Sequence, residues 1–402
     1  MKILIVSQYY YPEQFQINEI APALVKRGHD VTVLTGTPNY PKGEIFEGYE
    51  NGKRCEETIN GVKVIRCKTI PRKRDPLHLI LNYYSFAKKA TRAARKIKEK
   101  YDVVLCYQLS PVLMLKPAVA YAKNHKVPLV CYCLDIWPES AQGMLKTNKG
   151  PIYGYVKSLS RKLYMACDNI SVTSRPFMDY FSDTFGIQRE KMTYIPQHAD
   201  SSFLGLNMCA NDDGKIDFMY AGNMGKGQTL DVIVRAAEKI KNRNDFVVHM
   251  VGDGSHRESL EALVRDCGVE DKFIFYGNQK REEMHSFYKK ADALLITLRG
   301  NNRVGDTMPG KLQTYMTARK PIFGAINGAA KEVIEESRCG ACVPAGDADG
   351  LAMLMSDYID HTEKYEGCGE RAAEYFLENF TLEKHMQGLE GAIKETIKAY
   401  EL

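Results

Sequence analysis

Twice along this chain, short and predominantly apolar runs alternate with amphipathic helical stretches, and no other feature narrows the possible folds so sharply. In the first half the runs fall at residues 2–6, 30–34, 62–67, 102–106, 128–133 and 168–173. They are rich in Val, Ile and Leu, the pattern of parallel strands covered on both faces. Helical spacing of apolar residues occupies 16–27, 78–99, 111–124 and 151–166. The alternation restarts at 216–221 and runs on through 246–251, 272–275, 292–297, 321–324 and 340–343. The expected fold is therefore α/β, as two Rossmann-like doubly wound domains.

A length of 402 residues exceeds what one hydrophobic core usually organises, which agrees with two domains. We place the first at 1–200, a polar linker at 201–214, the second at 215–380 and a last helical segment at 381–402, free to pack on either domain. Doubly wound sheets bind ligands at the carboxyl ends of their strands. Two such sheets on a short linker are expected to face a central cleft, one substrate to each side. The chain opens on Met1-Lys2-Ile3-Leu4-Ile5-Val6, which reads as a first strand and not as a leader. No apolar run is long enough to span a bilayer, so a cytoplasmic location is expected. The eleven cysteines are scattered. Cys339 and Cys342 have CxxC spacing without a second pair, no histidines have ligand spacing, and Asp347-Ala348-Asp349 reads as a helix cap. No metal is expected.

Chemistry concentrates in the second half. Gly222-Asn223-Met224-Gly225-Lys226-Gly227 joins a strand to a helix, where backbone N–H groups approach a phosphate; the same glycines also serve an ordinary tight turn. Gly252 and Gly277-Asn278 follow the next two strands and suit either a base and ribose lying against backbone or plain strand-to-helix turns. In Pro309-Gly310-Lys311 the proline fits the first turn of a helix, which sets Lys311 near its positive end. In the first half, Asp135 stands at a strand's carboxyl end beside Trp137 and Glu139. Tyr9 and Tyr10 follow the first strand with rings suited either to a sugar or to packing.

Three segments taken in order, Pro38-Asn39-Tyr40-Pro41-Lys42-Gly43, Leu134-Asp135-Ile136-Trp137-Pro138-Glu139-Ser140 and Pro309-Gly310-Lys311-Leu312-Gln313-Thr314-Tyr315, make the chain resemble the retaining family 4 glycosyltransferases of the GT-B fold. Within them it is similar to the branch that builds capsule, O-antigen and colanic-acid-type polysaccharides, fucosaminyltransferase-like members included. The resemblance implies transfer of a hexosyl or acetamidohexosyl group with retention, from a nucleoside diphosphate sugar (UDP-linked before others) and with no required metal. It implies a lipid-linked, polyprenyl diphosphate saccharide or a polysaccharide as acceptor, bound by the first domain. Where the family carries two glutamates eight positions apart, this chain has Asp306 and Thr314. Where the family grips the diphosphate with Arg and Lys, it has Asn223 and Gln228. Lys311, helped by Lys226, is left to neutralise the leaving group, with Asp306 orienting the donor sugar. Asp135 is the carboxylate expected on the acceptor side, and Glu332 is grouped with the donor.

The charge is unevenly divided. Residues 1–200 hold 30 Lys and Arg against 18 Asp and Glu, and the remainder holds 25 against 32. Residues 68–100 contain eleven bases and only Asp75 and Glu99 as acids. Lys88, Lys89, Arg92 and Arg95 crowd one helical surface while Ile80, Tyr83, Tyr84, Ala87, Ala94 and Ile97 recur at helical spacing. A basic helix of this kind suits an anionic membrane, which places the protein on the inner face of the cell membrane; a solvated basic face is the plainer alternative. No nucleic-acid motif accompanies the charge. A nucleotide-sugar epimerase of the same shape and a non-catalytic nucleotide-sugar sensor are the rival functions.

Overall fold

The computed structural model of the protein describes residues 1–73, 75–141, 149–208, 214–300 and 308–401. The chain divides into two compact units, Met1–Pro196 with His385–Leu402, and Gln197–Lys384.

The first unit is built on an eight-stranded sheet. Its strands are β1 (Lys2–Val6), β2 (Asp30–Gly36), β3 (Glu56–Ile59), β4 (Val62–Cys67), β5 (Val103–Gln108), β6 (Leu129–Cys133), β7 (Asn169–Val172) and β8 (Met192–Tyr194), in the order β3-β4-β2-β1-β5-β6-β7-β8. All neighbours are parallel except β3 and β4. That antiparallel edge strand is absent from the expected set, because three of the four residues from Glu56 to Ile59 are polar and there is no apolar run. Its signal lies in the turn: Asn60 and Gly61 both have positive φ, 51° and 81°, the two-residue hairpin that Asn-Gly favours. Helices α1 (Ile17–Lys26), α2 (Pro76–Lys96), α3 (Leu115–His125), α4 (Pro151–Tyr164) and α5 (Arg175–Phe185) cover the sheet. Asp75 caps α2 by accepting from the His78 N–H at 2.9 Å, with Pro76 in the first turn. Phe86, Ala90 and Ala94 of α2 pack into the main core.

The second unit has six parallel strands, β9 (Ile216–Ala221), β10 (Phe246–Val251), β11 (Phe273–Gly277), β12 (Ala293–Thr297), β13 (Ile322–Ala325) and β14 (Gly340–Val343), ordered β11-β10-β9-β12-β13-β14. Strand order reverses between β9 and β12, the place where doubly wound sheets open a ligand crevice. Around it lie α6 (Asp231–Lys239), α7 (Arg257–Cys267), α8 (Met284–Lys290), α9 (Gly310–Thr317), α10 (Gly328–Ser337), α11 (Ala348–Asp360) and α12 (Cys368–Asn379). The doubly wound expectation holds in both units.

Two boundaries differ from those read along the sequence. The units part at Pro196, and Phe203 and Met208, in the stretch expected to be a linker, are buried in the second core because their side chains are too apolar to remain solvated. The last helix, α13 (Leu382–Glu401), belongs to the first unit from His385 onward. His385 Nδ1 donates to the Pro196 carbonyl at 2.8 Å, its ring meets Tyr132 edge-on, and Met386, Leu389 and Ile393 are buried.

The segment is thus part of the first unit's core. Leu389→Ala and Ile393→Ala are each expected to cost about 2–5 kcal/mol. Denaturant unfolding followed by fluorescence reads the first unit selectively, since the chain's single Trp, Trp137, lies within it.

Candidate functional site

At the carboxyl edge of the second sheet, three loops are laced together through their backbones. The Gly222 N–H donates to the Val251 carbonyl at 2.9 Å, Met224 to Asp253 at 2.8 Å, and Gly252 to Gly277 at 2.8 Å. The approach leaves no room for side chains. A Cβ on Gly252 would fall 2.0 Å from the Gly222 oxygen, and its φ of +129° lies where L residues are strained. The glycines therefore bring backbone to the floor of a cavity of about 430 Å³, lined among others by Gly222, Asn223, Gly252, Asp253, Asn278 and Thr314.

Lys311 reaches this floor from the first turn of α9. Pro309 precedes the helix and no side chain caps it, so the helix N-terminus faces the cavity with its partial positive charge. The ammonium donates to Tyr220 Oη and Gln228 Oε1, both at 2.5 Å, and lies 4.1 Å from the Tyr220 ring centre. All these partners are neutral, and among the described residues Lys311 forms no salt bridge. Burial consequently holds its ammonium down to about 7, far below the usual lysine value. Tyr315 of the same helix anchors the arrangement: the Ala221 N–H donates to its hydroxyl at 2.7 Å, and that hydroxyl donates to the Ala221 carbonyl at 3.1 Å.

The structure gathers several residues singled out from sequence in this one cavity: Gly222, Asn223, Gly252, Asn278, Lys311 and Thr314. Gly277 supports it through its carbonyl, and Pro309 and Gly310 begin α9. Lys226 is exposed on the short 3-10 turn Lys226–Gln228 and does not line the cavity, so Gln228 and not Lys226 accompanies Lys311. Glu332 is exposed on α10, also away from the lining. Asp306 lies outside the described residues. Tyr220, Gln279, Met284 and Tyr288 were not singled out. Tyr220 sits inside an apolar strand, where a buried ring is the default reading; Met284 and Tyr288 lie on a short helix with no polar signal.

In the first unit the carboxyl-edge loops are tied by a buried carboxylate. Glu13, 2% exposed, accepts from the N–H groups of Asn39 and Tyr40, both at 2.8 Å, and of Tyr10 at 3.3 Å. Burial pushes its carboxyl up to about 7, against the pull of those three N–H groups and of Arg66. Elsewhere in the unit, Trp137 Nε1 donates to Ser110 Oγ at 3.0 Å, and Ser110 Oγ donates to Asp135 Oδ2 at 2.8 Å. Asp135 is half-buried, and this chain of hydrogen bonds orients its carboxylate. Trp137 itself is buried. Glu139 accepts from Tyr153 at 3.0 Å and from the Tyr180 hydroxyl, so both its oxygens are engaged within the unit. Tyr9 and Tyr10 are 3% and 1% exposed, with Tyr9 stacked on Phe15. Of the two readings open for them, a sugar-facing surface or packing, both rings are taken up in packing. Ser110 and Glu13 escaped the sequence reading because neither stands in a recognisable motif.

Lys88, Lys89, Arg92 and Arg95 are all exposed on α2. Of the apolar residues repeating along that helix, Tyr83, Ala87 and Ala94 are buried, whereas Ile80 and Tyr84 are not. Among the described residues no helix is long and apolar enough to cross a membrane, and none of their His, Cys, Asp or Glu side chains gather as a metal-binding group of three or more.

Comparison with known proteins adds to this geometry. Residues 15–203 match the family described as Glycosyltransferase Family 4, and residues 209–375 match Glycosyl transferases group 1. WcaI of Escherichia coli (strain K12), whose name places it among colanic acid biosynthesis glycosyl transferases, is 25% identical over 338 residues, 79% of this chain and 81% of its own length. A glycosyltransferase from Rickettsia africae ESF-5 superposes with a TM-score of 0.69 at 16% identity, covering 99% of this chain and 98% of that one. HepE of Anabaena, solved with UDP and glucose, gives 0.66 at 15%, covering 98% and 99%.

A buried ammonium with neutral partners burdens the empty site. The unfolded chain holds this proton up to its ordinary lysine value, the folded chain only up to about 7; stability therefore rises with pH between those values and is lowest below 7. Lys311→Met is expected to raise ligand-free stability at pH 6 by on the order of 2 kcal/mol, with the gain fading toward pH 10. Thermal unfolding across that pH range measures it.

Proposed function

The chain is a GT-B glycosyltransferase of the family 4 and group 1 type, and we propose that it transfers a hexosyl or acetamidohexosyl group from a nucleoside diphosphate sugar to a lipid-linked saccharide during cell-surface polysaccharide assembly. The observation that carries the donor half is the half-buried Lys311 ammonium at the floor of a glycine-built cavity, which among the described residues has no carboxylate partner. A diphosphate supplies the charge that ammonium lacks. As the sugar–phosphate bond breaks, negative charge grows on the leaving oxygen. A fixed cation, a helix N-terminus and backbone N–H groups stabilise it there without reorganisation. No metal is required in this reading.

UDP is the favoured carrier, supported by the UDP held in HepE; a role in polysaccharide assembly is supported by the name of WcaI. Asp306, six residues after the described strand-end loop, is proposed to orient the donor sugar, an assignment that rests on the sequence alone. Thr314 lies in the cavity wall, its Oγ1 3.4 Å from the Gly310 carbonyl, within reach of a ribose hydroxyl. On the first unit, Asp135 is the proposed acceptor-side carboxylate, held by Ser110 for an incoming hydroxyl. Retention at the anomeric carbon follows the family reading. The lipid-linked acceptor would bring the protein to the inner face of the membrane, with Lys88, Lys89, Arg92 and Arg95 attracted to anionic lipid.

The pH dependence of donor binding tests the Lys311 assignment. A doubly esterified diphosphate does not titrate near 7, and Glu13, the other group near 7, belongs to the first unit, so Lys311 is the group of the donor cavity whose charge changes there. Binding favours its charged form, and affinity for UDP-glucose or UDP-N-acetylglucosamine should fall roughly tenfold from pH 6 to pH 8, with proton uptake at pH 8. Calorimetry in buffers of different ionisation enthalpy reads both. A flat profile with no proton uptake removes Lys311 from the diphosphate site. Incubation with donor alone separates the rival activity: an epimerised sugar without acceptor would identify an epimerase, whereas a transferase leaves the donor's stereochemistry intact. In the transfer reaction Lys311→Met should lower kcat/KM by about 10²-fold or more.

A further inference from the structure

The solvent-facing side of α2 changes character along its length. Its first two turns expose Leu77, Ile80, Leu81 and Tyr84, at 63%, 40%, 38% and 46%. The same face then turns basic, through Lys88, Arg92 and Arg95. The neighbouring helix α4 exposes Ile152 and Tyr155, at 66% and 60%. The two helices are adjacent: Leu159 of α4 packs with Tyr83 of α2, and the Tyr84 and Tyr155 hydroxyls are near enough to interact electrostatically. Six large apolar or amphipathic side chains from two helices therefore form one exposed patch beside a cationic band.

Helices of a doubly wound sheet run antiparallel to its strands. The amino-terminal turns of α2 and α4, which bear the patch, thus lie at the carboxyl edge of the first sheet, the same edge as Ser110 and Asp135. α2 contains no acidic residue, and among the described residues Lys88, Lys89, Arg92 and Arg95 form no ion pair. A second copy of this chain covering the apolar residues with the same face would bring two such cationic bands together. An anionic bilayer satisfies both parts at once: acyl chains and interface for the apolar turns, headgroup charge for the basic ones.

We propose that the first turns of α2 and α4 form a two-helix wedge that inserts into an anionic lipid interface, with the basic band of α2 lying on the headgroups. This deepens the membrane-acceptor reading above and rests on it for its purpose. The insertion seats the carboxyl edge bearing Asp135 against the lipid surface, where the headgroup of a lipid-linked acceptor is presented.

The test uses the full chain and vesicles of phosphatidylglycerol or of phosphatidylcholine alone. The parent protein should float with phosphatidylglycerol vesicles and keep a bound fraction at high salt, because apolar insertion is not screened. The triple variant Leu77→Ser, Ile80→Ser, Tyr84→Ser and the double variant Ile152→Ser, Tyr155→Ser should each lose at least tenfold in partition and all of the salt-resistant fraction. Exchange of Lys88, Lys89, Arg92 and Arg95 for Glu should abolish the preference for the anionic lipid. Tyr84→Trp should show a blue shift and quenching by brominated acyl chains, over a background from buried Trp137. Melting curves and UDP-sugar affinity confirm that the variants are folded. Binding that is wholly lost at high salt, or unchanged by the serine variants, overturns the wedge, as does a serine variant that alters oligomeric state and not vesicle binding. Absent vesicle binding with intact sugar transfer sinks this inference alone; vesicle insertion without nucleotide-sugar binding sinks the proposed function alone.

Discussion

The ammonium of Lys311 rests against the face of Tyr220 with the oxygens of Tyr220 and Gln228 as its partners, and much of the second unit is arranged to keep it there. Removing a cation from water is unfavourable, and among the described residues its partners are neutral, so packing must hold it in place. Tyr315 supplies that restraint by clamping α9 to the end of β9 through both backbone groups of Ala221. The glycines at 222 and 252 complete it, since only residues without side chains let the adjoining loops close to backbone contact. A site preloaded with positive charge and lined by N–H groups gives up stability when empty and gains affinity when an anion arrives.

The first unit solves a different problem. Its carboxyl-edge loops are long, and their backbone donors point inward where water does not reach. Glu13 answers this with one carboxylate that accepts three N–H groups from two loops. Such a node fixes the loops after β1 and β2 relative to each other. The hydrogen-bonded series from Trp137 through Ser110 to Asp135 then sets one carboxylate at the edge in a defined orientation. Rigid loops and an oriented acid are what positioning of an acceptor hydroxyl demands.

Most of the fold was legible because strands buried on both faces are apolar at most positions. β1, β5, β6, β9 and β12 announce themselves in this way. β3 does not, since an edge strand with a solvated face needs no apolar run; only its Asn60-Gly61 turn marks it. Lys311 was legible through Pro309 and Gly310, a local signal of a helix start. Tyr9 and Tyr10 were ambiguous, because a tyrosine lining a sugar site and one filling a core have the same local sequence. Ile80 and Tyr84 share one helical spacing with Tyr83 and Ala87, and burial, not spacing, separates the two pairs.

The sequence by itself determined the two doubly wound sheets, the glycine-rich strand ends, the lysine at a helix start and the basic stretch on α2. Each is a local or periodic property, written in consecutive residues. Tertiary structure alone decided that Gln228 and Tyr220 accompany Lys311, that Ser110 orients Asp135, that α13 completes the first core, and that apolar turns of α2 and α4 meet in one exposed patch. These pairings join residues from 25 to 91 positions apart in the cases of Ser110–Asp135 and Tyr220–Lys311. At such separations neither periodicity nor propensity carries information, and only the packing of the sheets brings the partners into contact.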